Sequence, residues 1–547
     1  MKKQILALFL VGAMIFGSAS AIFAEKSADN VVAAINDGQE NDSLPFTDVP
    51  EGSWYYDYVK SVREQGLMTG LDDTTFGPAS ELVRAQFAVI IYRMEGSPEV
   101  DSSENPFPDN TEDWYKNAVI WANKEGIITG YSDSGMFGPN DAVTREQMAA
   151  LMYRYAAYKG YDIADQTDIH RFPDAGDVQE FAKKAISWTV KVGIISGDNG
   201  KLNPQGSANR AVGATIIDRF VKKMTREVFV SPEWVKSVID GELPASENYL
   251  VANVDWYGRT TYDEGHLPGA VYMTSNEVEY TDWEPWPEEG DIGDGLDDLT
   301  GKPYDVYNLY NLRTPEELAA FLKKFGIESD TTLILYSSNT SIDSSVSRVA
   351  MGCLYAGVEN VKIMDGGLEL WKEKELPLTT EETLPVAGDD SYDFGAEIPA
   401  HPEYIMSIED VQENLENNPD FRLVSIRRRE EFTGEISGYK YIPKTGEPKG
   451  AIWGRNSDAY IEEDGTVVGI DVVESILAEA NSSLDNELSF YCGTGWRATI
   501  PFFICYQEGM DNVTLYDGGW YQWQLSDPEE YPIQQITPEE AAANVLK

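Results

Sequence analysis

Cysteine and histidine are scarce in this chain, and cationic side chains are heavily outnumbered. The 547 residues include three cysteines and three histidines. So few cysteines cannot staple a protein of this length, which excludes a disulfide scaffold. Three histidines with no cysteine cluster leave no zinc-type ligand set, so neither a metal nor a cofactor is expected. Lys and Arg total 42 against 93 Asp and Glu, a formal charge of −51. Such a surface repels phosphate backbones and anionic lipid, which argues against nucleic acid as a partner. Beyond the N-terminus no apolar run is long enough to span a bilayer, so no transmembrane anchor is expected. What is present is 42% hydrophobic and 12% aromatic residues, too much for a disordered acidic polymer, in a chain long enough for several domains.

The first residues have the layout of a secretory signal. Met1-Lys2-Lys3 is a short basic start, Ile5 to Phe16 is apolar, and small residues follow at Ala19-Ser20-Ala21 and Ala24. A signal peptide over 1–24 places the mature protein outside the membrane.

Internal similarity comes next. Gly66-Leu-Met-Thr-Gly70 recurs as Gly126-Ile-Ile-Thr-Gly130 and Gly193-Ile-Ile-Ser-Gly197. Upstream of each stands a Phe-x-Asp: Phe46 to Asp48, Phe107 to Asp109, and Phe172 to Asp174. Downstream come Phe76-Gly-Pro78, Phe137-Gly-Pro139 and Leu202-Asn-Pro204, and then an arginine opening a helix: Arg84, Arg145 and Arg210. Tyr55, Tyr58, Val59 and Val62 share one helical face, as do Tyr115, Ala118, Val119 and Ala122, so each repeat reads as helix, turn, helix. Gly66 and Gly126 stand where a helix C-cap is wanted.

These landmarks resemble the S-layer homology domain, with repeats at 45–98, 105–160 and 170–223. The resemblance implies an all-α pseudo-threefold unit that holds bacterial surface proteins to secondary cell-wall polysaccharide, often through pyruvylated sugars. It also implies that Arg84, Arg145 and Arg210 line the binding grooves, and a guanidinium fork suits a sugar carboxylate. The alternative is that each arginine pairs locally. The third repeat has Val212 where the family has an acid or amide.

From about Ser231 strands alternate with helices, the pattern of a parallel sheet wrapped by helices. Tyr249 to Val254, Thr332 to Tyr336, Phe421 to Ile426 and Leu488 to Tyr491 read as strands, and Asp365-Gly-Gly-Leu368 is matched later by Asp517-Gly-Gly-Trp520. A stretch rich in Thr, Glu, Asp and Pro marks a linker over 377–400, and 277–305 is a long acidic insertion in the first unit.

The chemistry concentrates at Cys492. The strand ending at Tyr491 runs into Cys492-Gly493-Thr494-Gly495-Trp496-Arg497, with a helix from about Ala498. Two glycines let the loop curl so that backbone N–H groups turn toward the sulfur. The helix N-terminus adds partial positive charge and Arg497 a full one, so the thiol is expected to be acidic and nucleophilic. A phosphatase-type loop carries its arginine one place later, where this chain has Ala498.

This loop, with Arg427-x-x-Glu430-Glu431-Phe432 and Gly265-His-Leu-Pro-Gly-Ala270, resembles the rhodanese superfamily, and the pair of units resembles the tandem thiosulfate and 3-mercaptopyruvate sulfurtransferases. The resemblance implies an inactive first domain over 230–376 and a catalytic second domain over 401–531. It implies that Cys492 carries a sulfane sulfur as a persulfide, with Arg427 and Arg348 supporting the cleft. Their alternatives are a local pair with Glu430 and a helix-surface position. The loop matching Cys492 in the first domain begins at Ser337 or Ser338, and Cys353 reads as core. Ser425 stands where the family usually has aspartate. The expected protein is a cell-wall-anchored sulfurtransferase; the other class of reading is a surface binding protein whose rhodanese pair has lost turnover.

Overall fold

The computed structural model describes residues 44–535 except 165, 198, 257, 283–295 and 339–343, so the expected signal peptide over 1–24 and residues 283–295 of the acidic insertion lie outside the described residues. The first part is all helical. Each repeat contributes two helices: α1 (Tyr56–Glu64) and α2 (Arg84–Met94), α3 (Asp113–Lys124) and α4 (Arg145–Lys159), α5 (Lys183–Lys191) and α6 (Arg210–Thr225). Gly66 and Gly126 follow their helices at φ +70° and +72°, the left-handed cap their positions called for.

The repeated Phe-x-Asp has a local task. Asp48 accepts from the N–H groups of Phe76 and Gly77 at 2.8 and 2.7 Å, and Asp109 does the same for Phe137 and Gly138. Asp174 serves Leu202 and Asn203 in the third repeat. Each carboxylate therefore pins the turn that launches the second helix of its own repeat.

Between repeats the backbone closes a ring. Leu82 donates to the carbonyl of Ala208, Ala208 to Val143, and Val143 to Leu82, each at 2.9 Å. The arginines follow the same circuit. Arg84 Nε donates to the Phe137 carbonyl and Nη2 to Thr129, Arg145 Nε to Leu202, and Arg210 Nε to Phe76 with Nη2 to Thr69. Arg84 and Arg210 are 7% and 4% exposed, so each guanidinium staples its repeat to the next.

Two α/β domains follow. The first sheet combines β1 (Phe229–Val230), β2 (Tyr249–Val254), β3 (Val271–Met273), β4 (Thr332–Ser337) and β5 (Asn360–Met364) in the order β1-β5-β4-β2-β3, all parallel. The second combines β6 (Ile405–Met406), β7 (Phe421–Ser425), β9 (Ile452–Trp453), β10 (Glu487–Tyr491) and β11 (Val513–Tyr516) in the order β6-β11-β10-β7-β9, again parallel. The short pair β8 (Glu447–Pro448) and β12 (Ile533–Gln534) lies beside it. The two sheets repeat one plan, so the residue after β4, Ser338, corresponds to the residue after β10, Cys492. Such loops at the C-terminal ends of central strands are where parallel sheets place their sites.

One apolar core runs through both domains, joining Val346, Ala350 and Cys353 of one helix to Ile500, Phe502 and Phe503 of another. The linker is strapped down: Thr379 pairs with His266, Thr383 N–H meets the Tyr262 hydroxyl at 3.2 Å, and Phe394 is buried. Helix α6 enters β1 with little slack. Lys223 meets Glu508 at 2.6 Å, Arg226 pairs with Asp511, and the Gln507 side chain accepts from the N–H groups of Val228 and Phe229. Among the described residues no helix is long and apolar enough to cross a membrane.

Candidate active site

β10 is buried from Leu488 onward and leads into Cys492, 0% exposed, at the start of the loop that meets the first domain. The loop then turns sharply. Gly495 has φ +83°, and a Cβ there would lie 3.0 Å from Arg348 Nη1 and 3.1 Å from Asp517 O, so any side chain would be strained and would press on both neighbours. The helix begins at Thr499 with Ala498 at its cap, as the sequence indicates.

The second Gly-Gly motif holds the loop from behind. Trp520 N–H donates to the Cys492 carbonyl at 2.8 Å and Tyr521 N–H to the Gly493 carbonyl at 2.9 Å. The carbonyls are thereby fixed, whereas among the described residues no protein acceptor meets the N–H groups of Gly493, Thr494, Gly495, Trp496 or Arg497. Consecutive unpaired backbone donors next to a thiol form an anion-binding concavity. They would stabilise a thiolate, a persulfide or the negative end of a sulfur donor.

Arg497 sits differently from its sequence expectation. It forms a two-pronged bond to the fully buried carboxylate of Glu431, with further bonds to Asn456 at 2.8 Å and to the Tyr439 hydroxyl at 2.7 Å. Burial alone would raise the Glu431 pKa, but Arg497 and Arg427 hold it below the usual carboxylate range. The positive charge at the end of the loop is thus largely met by a carboxylate.

Arg427 is fully buried. Its main partner is Glu447 Oε1 at 2.5 Å, with the Gly446 and Ser437 carbonyls at 2.9 Å; Glu431 lies at 3.8 Å. Glu430, the local partner suggested by spacing, is not among these partners. Glu447 also accepts from Ser425 at 3.1 Å and from the Tyr491 hydroxyl. Ser425 therefore leaves room for a carboxylate that arrives from elsewhere in the chain. Burial pushes Glu447 up to about 7 against the pull of Arg427.

The first domain contributes the opposite wall. Arg348 is buried, not on a helix surface: Nε meets Glu279 at 2.9 Å, Nη1 meets Asp517 at 2.6 Å, and Nη2 meets the Tyr310 carbonyl at 2.6 Å. Trp496 stands edge-on to Trp256 and Tyr310, with centroids 5.7 and 6.4 Å away, and Tyr310, Tyr441 and Tyr439 continue the aromatic lining. Burial pushes the Tyr439 hydroxyl up to about 12 and Tyr441 well above its ordinary value, so both are neutral donors at physiological pH.

Cys353 and Cys505 are fully buried in helices, and burial pushes both thiols up. His266 stacks on Tyr262 and bonds its carbonyl at 2.7 Å, a structural turn. Ser338, the counterpart of Cys492, is hydrogen-bonded to Asn253 at 3.0 Å. Among the described residues no group of three or more His, Cys, Asp or Glu side chains is arranged to hold a metal.

Comparison with known families agrees with this geometry. The S-layer homology domain matches residues 45–88, 106–149 and 171–211, and the rhodanese-like domain matches 231–374 and 407–526. The chain is a tandem rhodanese protein preceded by three S-layer homology repeats. Thiosulfate sulfurtransferase YnjE of Escherichia coli is 36% identical over 313 residues, 55% of this chain and 64% of that protein. Human 3-mercaptopyruvate sulfurtransferase is 26% identical over 312 residues, 55% of this chain and 93% of that one. The ergothioneine biosynthesis enzyme of Chlorobium limicola, solved with trimethyl histidine, is 30% identical with a TM-score of 0.49, covering 58% of this chain and 72% of that one. This chain thus spans less than two thirds of the E. coli relative.

Glu279, Tyr310, Tyr439, Tyr441 and Glu447 were not singled out by sequence. Each lies far along the chain from Cys492 in a segment with no motif of its own, so only the fold brings them together.

Proposed function

We propose that the protein is a cell-surface sulfurtransferase in which Cys492 is the sulfur carrier. The observation that carries this reading is the row of unpaired N–H donors from Gly493 to Arg497 directly after Cys492, the one of the three buried cysteines that lies on a loop and not in a helix. The Cys492 thiolate attacks the outer sulfur of thiosulfate, the S–S bond breaks, and sulfite leaves with the electron pair. With 3-mercaptopyruvate the C–S bond breaks instead, and pyruvate leaves after its carbon takes a proton. Either way Cys492 holds a persulfide. A thiophilic acceptor then attacks the terminal sulfur and regenerates the thiolate. The loop N–H groups stabilise the anionic sulfur throughout, and Arg427 and Arg348 keep the cleft in shape.

Incubation with either donor and no acceptor is expected to add about one sulfur atom to the peptide bearing Cys492, removable by cyanide. Cys492→Ser abolishes this, and Cys353→Ser and Cys505→Ser retain it. An acceptor panel of cyanide, small thiols and trimethyl histidine identifies the second half-reaction. A parent protein that acquires no persulfide from either donor supports the reading of a non-catalytic surface binder.

We further propose that α1–α6 hold the chain at the wall by binding secondary cell-wall polysaccharide, with the half-buried Arg145 reaching sugar carboxylates such as pyruvyl groups and the buried Arg84 and Arg210 shaping the grooves from behind. The full chain should bind isolated wall polysaccharide, and Arg145→Ala, at the least buried of the three arginines, should weaken binding while circular dichroism reports an intact fold. Equal binding to depyruvylated polysaccharide sinks the carboxylate assignment.

A further inference from the structure

The acidic insertion reads from sequence as a loop without a task, yet its described base is firmly built. Glu279 bridges Leu312, Tyr280 N–H donates to the Asn311 carbonyl at 3.2 Å and Tyr310 N–H to the Tyr280 carbonyl at 2.8 Å, and Arg313 clamps Asp297 with both side chains 2% exposed. This frame leans on the second domain. Leu312 N–H donates to Asp517 at 2.8 Å, and the Tyr521 hydroxyl donates to the Val306 carbonyl at 2.9 Å. From the frame a single carboxylate crosses the domain boundary: Glu279 Oε2 accepts from Trp496 Nε1 at 2.7 Å and from Arg348 Nε at 2.9 Å, with the side chain 0% exposed.

We propose that Glu279 is a positioning residue for the loop at Cys492, and that by holding the Trp496 indole against Trp256 and Tyr310 it sets the cleft wall past which the sulfur acceptor must travel. The base of the insertion is then part of the transferase site, and the first domain, which lacks a cysteine in its own loop, governs the geometry of the second. This inference rests on Cys492 being the sulfur carrier.

The groups around Glu279 give the latch a pH dependence. Arg348 faces it directly, Asp517 lies beyond Arg348 on the second domain, Ser275 borders it on its own segment, and Asp282 and Asp298 face the neighbouring Tyr310. Burial outweighs the pull of Arg348 and raises Glu279 to about 7. The carboxylate is ionised above that pH, with two charge-assisted bonds; as pH falls through it the charge is lost and both bonds weaken.

Glu279→Gln keeps the shape and removes the charge. At pH 8 it should lower kcat/KM for sulfur transfer to the acceptor about tenfold, the size of one hydrogen bond to an ionised group. At pH 6 parent and variant should converge, because the parent has also lost the charge. Trp496→Phe leaves the Glu279–Arg348 pair in place and should cost about as much; the double variant should lose no more than either single one. The rate of iodoacetamide labelling at Cys492 supplies a readout independent of sulfur transfer: its profile should show an inflection near neutrality in the parent that Glu279→Gln abolishes. A Glu279→Gln protein that keeps the parent's pH profile, or losses that multiply in the double variant, overturns the proposal. A parent that transfers no sulfur yet shows the labelling inflection instead sinks the sulfurtransferase reading and leaves the latch standing.

Discussion

Arg497 and Glu431 form a two-pronged ion pair, with Nη1–Oε2 at 2.9 Å and Nη2–Oε1 at 3.1 Å, at the end of the loop that carries Cys492. From sequence the arginine reads as a cation offered to the sulfur. In the fold it is first a staple between the loop and the segment after β7, and the donors left for a substrate are backbone N–H groups.

Arg497→Ala removes the two-pronged partner of a buried carboxylate, leaving it Arg428 at 3.3 Å and Arg427 at 3.8 Å, and is expected to lower stability by about 2 kcal/mol. Arg497→Ala combined with Glu431→Gln should recover much of that loss, since no buried carboxylate short of its partner remains. Urea denaturation of the single and double variants checks this, and a double variant no better than the single one contradicts it.

Cysteine labelling should separate the three thiols. All three thiols are buried, yet a small reagent such as iodoacetamide on the native protein is expected to modify Cys492, which lies on a loop, before Cys353 and Cys505, which are held within helices. Both should react after unfolding. Peptide mass spectrometry reads the outcome, and native labelling of Cys353 at a comparable rate would contradict the placement.

Stability should fall as pH rises toward neutrality. Burial raises Glu227, Glu279 and Glu447 each to about 7, above the value of an unfolded glutamate. The native state therefore binds more protons than the unfolded state across roughly pH 4.5 to 7, and stability is highest at the acid end of that window. Each proton contributes a slope of up to about 1.4 kcal/mol per pH unit. Denaturation midpoints measured across this range test the sign, and Glu447→Gln should flatten the dependence.

The ring of backbone bonds among Leu82, Val143 and Ala208 predicts equivalence. Replacing any one of the three with proline removes one N–H from the ring and leaves a buried carbonyl unmet, at a cost of about 1–3 kcal/mol. The three variants should have similar melting temperatures, all below the parent. A proline at one position that is harmless while the others are severe would contradict a shared ring.

Features written in short stretches of chain were legible from sequence. The helix pairs with their Gly66 and Gly126 caps, the parallel α/β pair, and the Cys492 loop with its helix all follow from local spacing and glycine chemistry. The partners of the arginines did not. Arg427 meets Glu447 and not Glu430, because Glu447 on β8 is buried against Arg427, Ser425 and Tyr491, and the residue next to Glu430, Glu431, turns inward instead. Arg348 reads from the resemblance as supporting the cleft, with a helix-surface position as the alternative, and neither reading names Glu279, Asp517 or Tyr310 as its partners. Glu279 has no signal beyond being one acid in an acidic stretch. Contacts across a domain boundary depend on how two surfaces fit, and one strand of sequence does not encode that fit visibly.

The short passage from α6 into β1, with Lys223, Arg226 and Gln507 bonded across it, removes the swivel that a flexible tether would allow. In a molecule held at a wall by α1–α6, the mouth of the Cys492 cleft then keeps one bearing and one standoff from the polymer.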